Sequence, residues 1–344
     1  MQLQQNFQLK DYNTFGINVY AKYFGTFSTL NELQYLLQDT NNYCKAVNSK
    51  SNTLILGGGS NILFTKNYDG IVLKNEILDI EKINEDEDNI FVKVGAGIMW
   101  HDFVLYCIEN DFAGVENLSF IPGTVGASPI QNIGAYGVEI KDVFFELEAY
   151  NISEKKNIVF SQSNCEFGYR DSIFKNKFKD QFVIISVTFK LNKTPIFKTS
   201  YGAIAAELEK NGVENLSIKA VSDAVIAIRK SKLPNPSQIG NAGSFFKNPT
   251  IDNDYFEKLK IKFPNIVGYV VSKTHTKLAA GWLIEQCGWK GFREADAGCH
   301  QNQALVLVNY GKAQGTQIYN LSTNIIESVK NKFGVQLQRE VNII

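Results

Sequence analysis

The chain has 344 residues, 44% of them apolar and 20% charged, the balance of an ordinary globular protein that folds in water. Lys plus Arg number 35 and Asp plus Glu number 35, so no overall field favours nucleic acid or an anionic membrane, and an anionic ligand has to be held by a local site. Five scattered cysteines (Cys44, Cys107, Cys165, Cys287, Cys299) with no C-x-x-C pair argue against a disulfide framework or a zinc site and for a reducing compartment.

Such a length predicts about two or three domains. The polar stretch Met1 to Phe15 lacks the apolar core of a signal peptide, and no run approaches the roughly 20 apolar residues that span a bilayer, so a cytoplasmic location is expected. Thr29-Leu30-Asn31-Glu32 has the form of a capping box. Leu33, Leu36 and Leu37 follow at helical spacing and predict a helix to about Gln38. Thr53 to Leu56 reads as a buried strand running into Gly57-Gly58-Gly59-Ser60-Asn61, with further strands at Ile71 to Leu73 and Ile90 to Val94. The acidic stretch Glu81 to Asp88 reads as a solvated connection.

Gly95-Ala96-Gly97 leads into a helix from about Trp100 to Asn110, whose Trp100, Val104 and Ile108 form one face. Residues Ile121 to Gly137 are too apolar for a linker and too rich in Gly and Pro for regular structure, which predicts a folded loop. Val143 to Ile152 with Asn157 to Ser161 predicts a hairpin, and the alternation from Val183 to Leu191 a half-buried strand. Many strands with few helices make this an α+β chain. Helical stretches follow after Tyr201-Gly202-Ala203-Ile204 and over Ser217 to Lys230, with a boundary at Pro234 and Pro236. A helix is expected over Lys277 to Gln286 with Leu278, Trp282 and Leu283 inward, then a strand at Ala304 to Val308. A long helix carrying Ile318 to Phe333 stops at Gly334, and a last strand from Val335 to Ile343 turns Glu340 away from its apolar side.

The glycine loops are not the common nucleotide motifs. Gly57 to Asn61 lacks the Gly-Lys-Ser/Thr ending of a P-loop, and Trp100 stands where a Rossmann turn needs its third Gly. Each loop by itself reads as a tight turn, yet successive glycines after a strand expose a nest of N–H groups that binds anions. Both turns with the 122–137 loop make a plausible clasp for a diphosphate beside apolar surface for a flat ring. In Gly240 to Pro249, Ser244 invites a nucleophile reading, but Phe246 stands where the elbow pattern needs Gly. The role left to an unactivated hydroxyl is proton donation to a very strong base such as a carbanion; the ordinary alternative is a loop serine bonded to its own backbone.

Leu56-Gly57-Gly58-Gly59-Ser60-Asn61, the Ile121 to Gly137 loop, Tyr169-Arg170-Asp171-Ser172-Ile173-Phe174-Lys175, Gly240 to Pro249 and Glu340-Val341 together closely resemble the UDP-N-acetylenolpyruvoylglucosamine reductase (MurB) family, in order over nearly the whole chain. Tyr201-Gly202 looks like the tyrosine loop of its type I members, although Ile204 replaces a more usual Leu. The resemblance implies the FAD-binding α+β fold of the vanillyl-alcohol oxidase (PCMH-type) superfamily plus a C-terminal α+β substrate-binding domain. The expected domains are 1–77 and 78–232 for FAD and 233–334 for substrate, with 335–344 returning to the first or to the active site. It implies a monomeric cytoplasmic enzyme of peptidoglycan precursor synthesis that holds FAD non-covalently, takes hydride from NADPH and reduces UDP-N-acetylglucosamine enolpyruvate to UDP-N-acetylmuramate.

By the same resemblance, the catalytic residues are Arg170, Ser244 and Glu340. FAD falls to Gly57, Gly58, Gly59, Ser60, Asn61, Pro122, Gly123, Thr124, Ala127, Ser128, Gln131, Asn132, Gly134 and Ala135. Substrate contacts fall to Tyr136, Tyr201, Arg229, Lys232, Asn248 and Gln303, and no metal is implied. The chemistry suits these types: a guanidinium forks onto a carboxylate, although an ion pair with Asp171 is the usual use of such an Arg. Glu340 has to be protonated to help an anionic intermediate, and its ordinary alternative is a solvated carboxylate. His101, His275 and His300 show no metal spacing and read as structural. Two other classes fit part of the pattern. One is a flavin oxidase of the same superfamily, whose covalent members commonly carry a His in the first glycine loop where this chain has Ser60. The other is a UDP-sugar binding module without activity, against which Arg170, Ser244 and Glu340 stand together.

Overall fold

The structure, a computed structural model, describes residues 2–46 and 52–344; the side chains of 39–46, the expected free Cys44 among them, lie outside the described residues. The chain divides into two compact units. The first comprises Met1–Phe7, Ala21–Gly58 and Asp69–Ser231; the second comprises Gln8–Tyr20, Gly59–Tyr68 and Lys232–Ile344.

A four-stranded sheet in the first unit has the order Gln4–Gln8, Tyr20–Phe27, Tyr68–Asn75, Thr53–Leu56, the last two parallel. Helix α1 (Leu30–Ala46) covers it, burying Leu33, Leu36 and Leu37 against Phe27, Ile71 and Leu73. Its start is capped as expected at Thr29, whose hydroxyl accepts the Glu32 N–H at 3.2 Å, while the Glu32 carboxylate accepts the N–H of Ser28 at 2.7 Å. The helix runs past Gln38 because Asp39 to Ala46 contain neither Gly nor Pro to stop it.

A five-stranded antiparallel sheet follows, in the order Lys156–Ser161, Phe144–Asn151, Phe182–Asn192, Asn89–Gly95, Ile80–Glu85. The last of these corrects the expected acidic connection: 80–85 is an edge strand paired through Glu81 and Lys93, and its charges face solvent. Charged side chains on an edge discourage further strand addition. Helix α2 (Trp100–Glu109) buries Trp100, Phe103, Val104 and Cys107 on this sheet, with Trp100 edge-on to Phe189. Helices α3 (Ile204–Lys210) and α4 (Ile218–Lys232) share a small core of Ile204, Leu208, Ala224, Val225 and Ile228.

In the second unit, Gly240–Ser244, Val306–Asn309, Ala297–Cys299 and Arg293–Glu294 form one sheet, and Thr250–Asp252, His275–Leu278 and Gly268–Val270 another. Helices α5 (Asn253–Lys262), α6 (Ala280–Gln286) and α7 (Gly315–Phe333) complete it. The helix expected from Lys277 starts three residues later, because Lys277 and Leu278 end a strand paired with Thr250 on one side and with Gly268 and Tyr269 on the other. Leu278 is buried from a strand, and Trp282 is half-buried rather than inward. Helix α7 ends at Gly334 in the left-handed region, φ 66°, as its Gly predicted. The predicted alternation holds in burial for Val335, Leu337 and Val341 inside and Gln336, Gln338 and Asn342 outside, whereas Glu340 and Ile343 are both half-buried. The pairing is narrower than a full strand: Asn342–Ile343 runs parallel to Ile62–Leu63, and Arg339 bridges Phe246.

Candidate active site

In the first unit the three glycine loops come together, with two different jobs. A methyl group on Gly57 would lie 2.4 Å from Thr124 Oγ1, and one on Gly58 would lie 3.0 Å from Gly123 Cα, so the 57–58 turn and the 122–124 loop touch backbone to backbone. Among the described residues the N–H groups of Gly57, Gly58, Gly123 and Thr124 have no acceptor, although Gly123 and Thr124 are buried. Buried donors left unpaired in one place make an anion cradle. The 95–97 turn is not part of it, which corrects the expected clasp. Its N–H groups bond the carbonyls of Asp79, Ile185 and Ile77, and its glycines let the chain lie against Ile77. What it does is hold the cradle from behind, since Ala96 and Ile98 accept from Gly126 and Val125.

Farther along the same loop, Ser128 donates to the Val125 carbonyl at 2.7 Å. Asn132 is fully buried, and its side chain bonds Glu139, the Gly168 carbonyl and the Lys141 N–H. Its main chain is engaged as well, the N–H with the Pro129 carbonyl and the carbonyl with Arg170, so Asn132 shapes the loop from inside. Ala127 is exposed, while Gln131, Gly134 and Ala135 are half-buried on the same loop.

Gly134–Ala135 pairs with Val138–Glu139 through a tight turn at Tyr136 and Gly137, both at positive φ (50° and 80°). Arg170 also sits at positive φ, 53°, at the tip of a turn closed by Gly168 and Asp171. Strain at a non-glycine residue is a mark of functional loops. Its guanidinium reaches back to the carbonyls of Gly134 and Asn132 and lies over the Tyr169 ring. Asp171 accepts from Asn176 and from the Ser172 N–H. Around this turn gather the predicted substrate residues of the unit. Tyr136 packs on Gly202, and Tyr201, 58% exposed, packs on Gly137. Arg229 donates to the Phe120 carbonyl at 3.1 Å. Burial pulls its guanidinium below the ordinary value, with Tyr136 opposing and Arg170 adding like charge; burial raises the Tyr136 phenol, with Arg229 opposing. Two guanidiniums and two phenols in one field suit a multiply charged anion.

The second unit builds its part around Gly240–Ser244. Asn241 pairs with Val308 and Ser244 with Val306, so the strand carries a bulge at Ala242 and Gly243, the latter at φ 68°. Bulges re-aim the side chain that follows. The half-buried Ser244 hydroxyl has no hydrogen-bond partner among the described residues. Directly after it, Phe245 donates to Leu305 and accepts the Glu340 N–H at 2.8 Å. The Glu340 carbonyl accepts from Asn61, which also accepts the Asn342 N–H. Ser60–Asn61, the C-terminal strand and the Ser244 turn thus lie side by side, with Glu340 in the middle. Gly59 is held at φ 60° against Tyr12, where a methyl would lie 2.0 Å from a carbonyl oxygen.

Asn248 and Gln303 meet at the start of α6. Asn248 Oδ1 accepts the Ala280 N–H at 2.9 Å and Gln303 Oε1 lies beside Gly281, so each amide keeps its NH₂ for a ligand. Lys232 is exposed at the end of α4 and Pro122 is exposed on its loop. Among the described residues no His, Cys, Asp and Glu cluster could hold a metal ion, and no helix is long and apolar enough to cross a membrane. Cys107, Cys165, Cys287 and Cys299 are free; burial pushes the Cys165 and Cys299 thiols up to about 12, which keeps them inert. Asn117 was not anticipated, although Glu116-Asn117-Leu118-Ser119 stands directly before the glycine-rich loop.

Residues 32–153 match the family described as FAD binding domain, and 235–344 match the C-terminal domain of UDP-N-acetylenolpyruvoylglucosamine reductase. With the mixed architecture, these matches define a flavoprotein oxidoreductase built from a PCMH-type FAD-binding domain and a MurB C-terminal domain. The chain is 51% identical over 345 residues to the UDP-N-acetylenolpyruvoylglucosamine reductase of Flavobacterium johnsoniae, with 100% of each covered. It is 44% identical over 343 residues to that of Pseudomonas putida, with 100% of this chain and 99% of that one covered. The crystal structure of MurB from Thermus caldophilus has the same fold, with a TM-score of 0.68 at 21% identity, covering 100% of this chain and 99% of that one. The chain belongs to the UDP-N-acetylenolpyruvoylglucosamine reductase family, enzymes of peptidoglycan precursor synthesis that use FAD and NADPH.

Proposed function

We propose that this chain reduces UDP-N-acetylglucosamine enolpyruvate to UDP-N-acetylmuramate at the expense of NADPH, as a monomeric cytoplasmic enzyme of type I. The observation that carries the reading is the Ser244 hydroxyl, unpartnered after a bulge and one residue from the Glu340 contact, in a chain matched end to end by the reductases. The unpaired N–H groups of Gly57, Gly58, Gly123 and Thr124 fit the FAD diphosphate. Gly59, Ser60, Asn61, Pro122, Ala127, Ser128, Gln131, Asn132, Gly134 and Ala135 hold the rest of it non-covalently. FAD, when bound, supplies hydride to the terminal carbon of the enolpyruvyl double bond.

The chain's own residues manage the charge that this leaves. Arg170 grips the carboxylate into which negative charge spreads. Glu340, as the neutral acid, donates a hydrogen bond to the same anion. Ser244 gives its proton to the carbon adjacent to the carboxylate, so hydride and proton together saturate the double bond. One general acid contributes about 10²–10⁴-fold. Tyr136, Arg229, Lys232, Asn248 and Gln303 hold the diphosphate and sugar, and Tyr201 closes over them as a tyrosine loop; its exposure and its seat on the Tyr136–Gly137 turn support that role. In the expected division, 1–77 and 78–232 serve FAD and 233–334 the substrate. The pairing of Asn342–Ile343 with Ile62–Leu63 supports a return of 335–344 to the first segment.

Ser244→Ala tests the proton donor. Flavin reduction by NADPH is expected to persist, while turnover on the enolpyruvyl substrate falls about 10²-fold or more. Equal slowing of both halves would remove Ser244 from the proposed role.

A further inference from the structure

We propose that Asn117 is a positioning residue for the UDP-sugar, setting the Tyr136 turn and the Tyr201 loop through its side-chain amide; this rests on the substrate roles given to those tyrosines above. Asn117 lies in the short turn Glu116–Leu118 and is 1% exposed. Its Nδ2 donates one hydrogen to the Tyr136 carbonyl at 3.0 Å and the other to the Lys198 carbonyl at 2.8 Å. A planar amide with both hydrogens spent on two separate segments fixes their spacing and their angle.

The second of these bonds matters most. Among the described residues, the stretch 194–200 has no main-chain hydrogen bond apart from the one that the Lys198 carbonyl accepts from Asn117, and its one side-chain tie is the Lys198–Asp142 ion pair at 3.3 Å. Tyr201 follows three residues later and packs on Gly137, the residue after Tyr136. Asn117 is thus the buried side chain that ties the loop to the turn it closes on, beside a partly exposed ion pair. The neighbours of Asn117 extend the same bracket: Ser119 Oγ bonds Ser222 Oγ on α4 at 2.8 Å, and the Phe120 carbonyl accepts Arg229 Nε. A five-residue segment thus sets Tyr136, Tyr201 and Arg229, with both amide hydrogens of Asn117 spent inside the protein.

Asn117→Ala removes both donors, and the isosteric Asn117→Asp sets carboxylate oxygens against two carbonyl oxygens at unchanged volume. The KM for UDP-N-acetylglucosamine enolpyruvate is expected to rise about tenfold in Asn117→Ala, equivalent to about 1.4 kcal/mol, and further in Asn117→Asp. FAD content should match the parent and kcat should stay within about threefold, a split that a merely structural residue would not produce. Acting through the loop, Asn117→Ala should add little when combined with Tyr201→Ala. An unchanged KM in Asn117→Ala, with Tyr201→Ala raising it, would overturn the proposal and leave the tyrosine reading intact. An unchanged KM in Tyr136→Phe, Tyr201→Ala and Asn117→Ala alike would overturn the tyrosine reading itself. Loss of FAD or of solubility in both Asn117 variants would assign the residue to the fold and equally overturn it.

Discussion

A side chain on Gly58 would press its first carbon to 3.0 Å from Gly123 Cα, and that neighbour across the cradle is backbone rather than a side chain that can rotate away. Gly58→Ala is therefore expected to part the two loops and lower FAD content at least severalfold, read as flavin absorbance against protein after gel filtration; full FAD content would contradict the cradle. His101 makes a different prediction. Its Nδ1 accepts the Phe120 N–H at 3.1 Å, which needs the neutral ring. Burial is the largest cause lowering its pKa below the ordinary 6.5; Asp102 opposes, and Arg229 and Lys230 add to the fall. The unfolded chain thus takes up a proton near pH 6.5 that the folded chain resists, so this stability is present above pH 6.5 and lost as pH falls below it. His101→Gln should flatten that part of a stability-against-pH curve, and an unchanged slope would count against the account. The close backbone approach at Gly57 and Gly58 was legible because a glycine's type limits what it does, whereas Arg170 was singled out by the resemblance. Asn117 was not, since an Asn reads equally well as a turn residue, and only the fold shows where its two hydrogens go.

The Gly240–Ser244 strand shows what an element adds to its residues. Its two glycines announced a special backbone, but the bulge follows from the register against Val306–Asn309, which no local pattern reveals. A methyl on Gly243 would meet nothing within 4 Å, so Gly243→Ala tests backbone strain alone. At φ 68° it is expected to cost about 1–2 kcal/mol of stability by denaturant titration, with kcat falling more than KM as Ser244 loses its aim. Unaltered kcat would separate the bulge from the chemistry. Two elements were misjudged for one reason. Glu81 to Asp88 and Lys277 to Gln286 were read by charge and by helical spacing. Their form is decided by partners: Asn89–Gly95 makes the first an edge strand, and Thr250–Asp252 with Gly268–Val270 hold the start of the second as a strand between them.

The second unit is discontinuous in a way that the order of the chain conceals. The match to the MurB C-terminal domain covers 235–344, yet the unit also takes in Gln8–Tyr20 and Gly59–Tyr68. Those strips are structural: Asn241 donates to Thr14, Asn309 Nδ2 donates to Phe15, and a methyl on Gly240 would lie 2.2 Å from the Phe15 carbonyl oxygen. A fragment of 232–344 alone is expected to lack a cooperative thermal transition by circular dichroism, whereas addition of the two strips through linkers should restore one. A cooperative 232–344 fragment would contradict this dependence. The most direct measurement for the whole enzyme is NADPH oxidation by the purified protein, with and without UDP-N-acetylglucosamine enolpyruvate. Oxidation that depends on that substrate and yields UDP-N-acetylmuramate in equal amount is the predicted result; a rate indifferent to the substrate, with oxygen consumed instead, would contradict it.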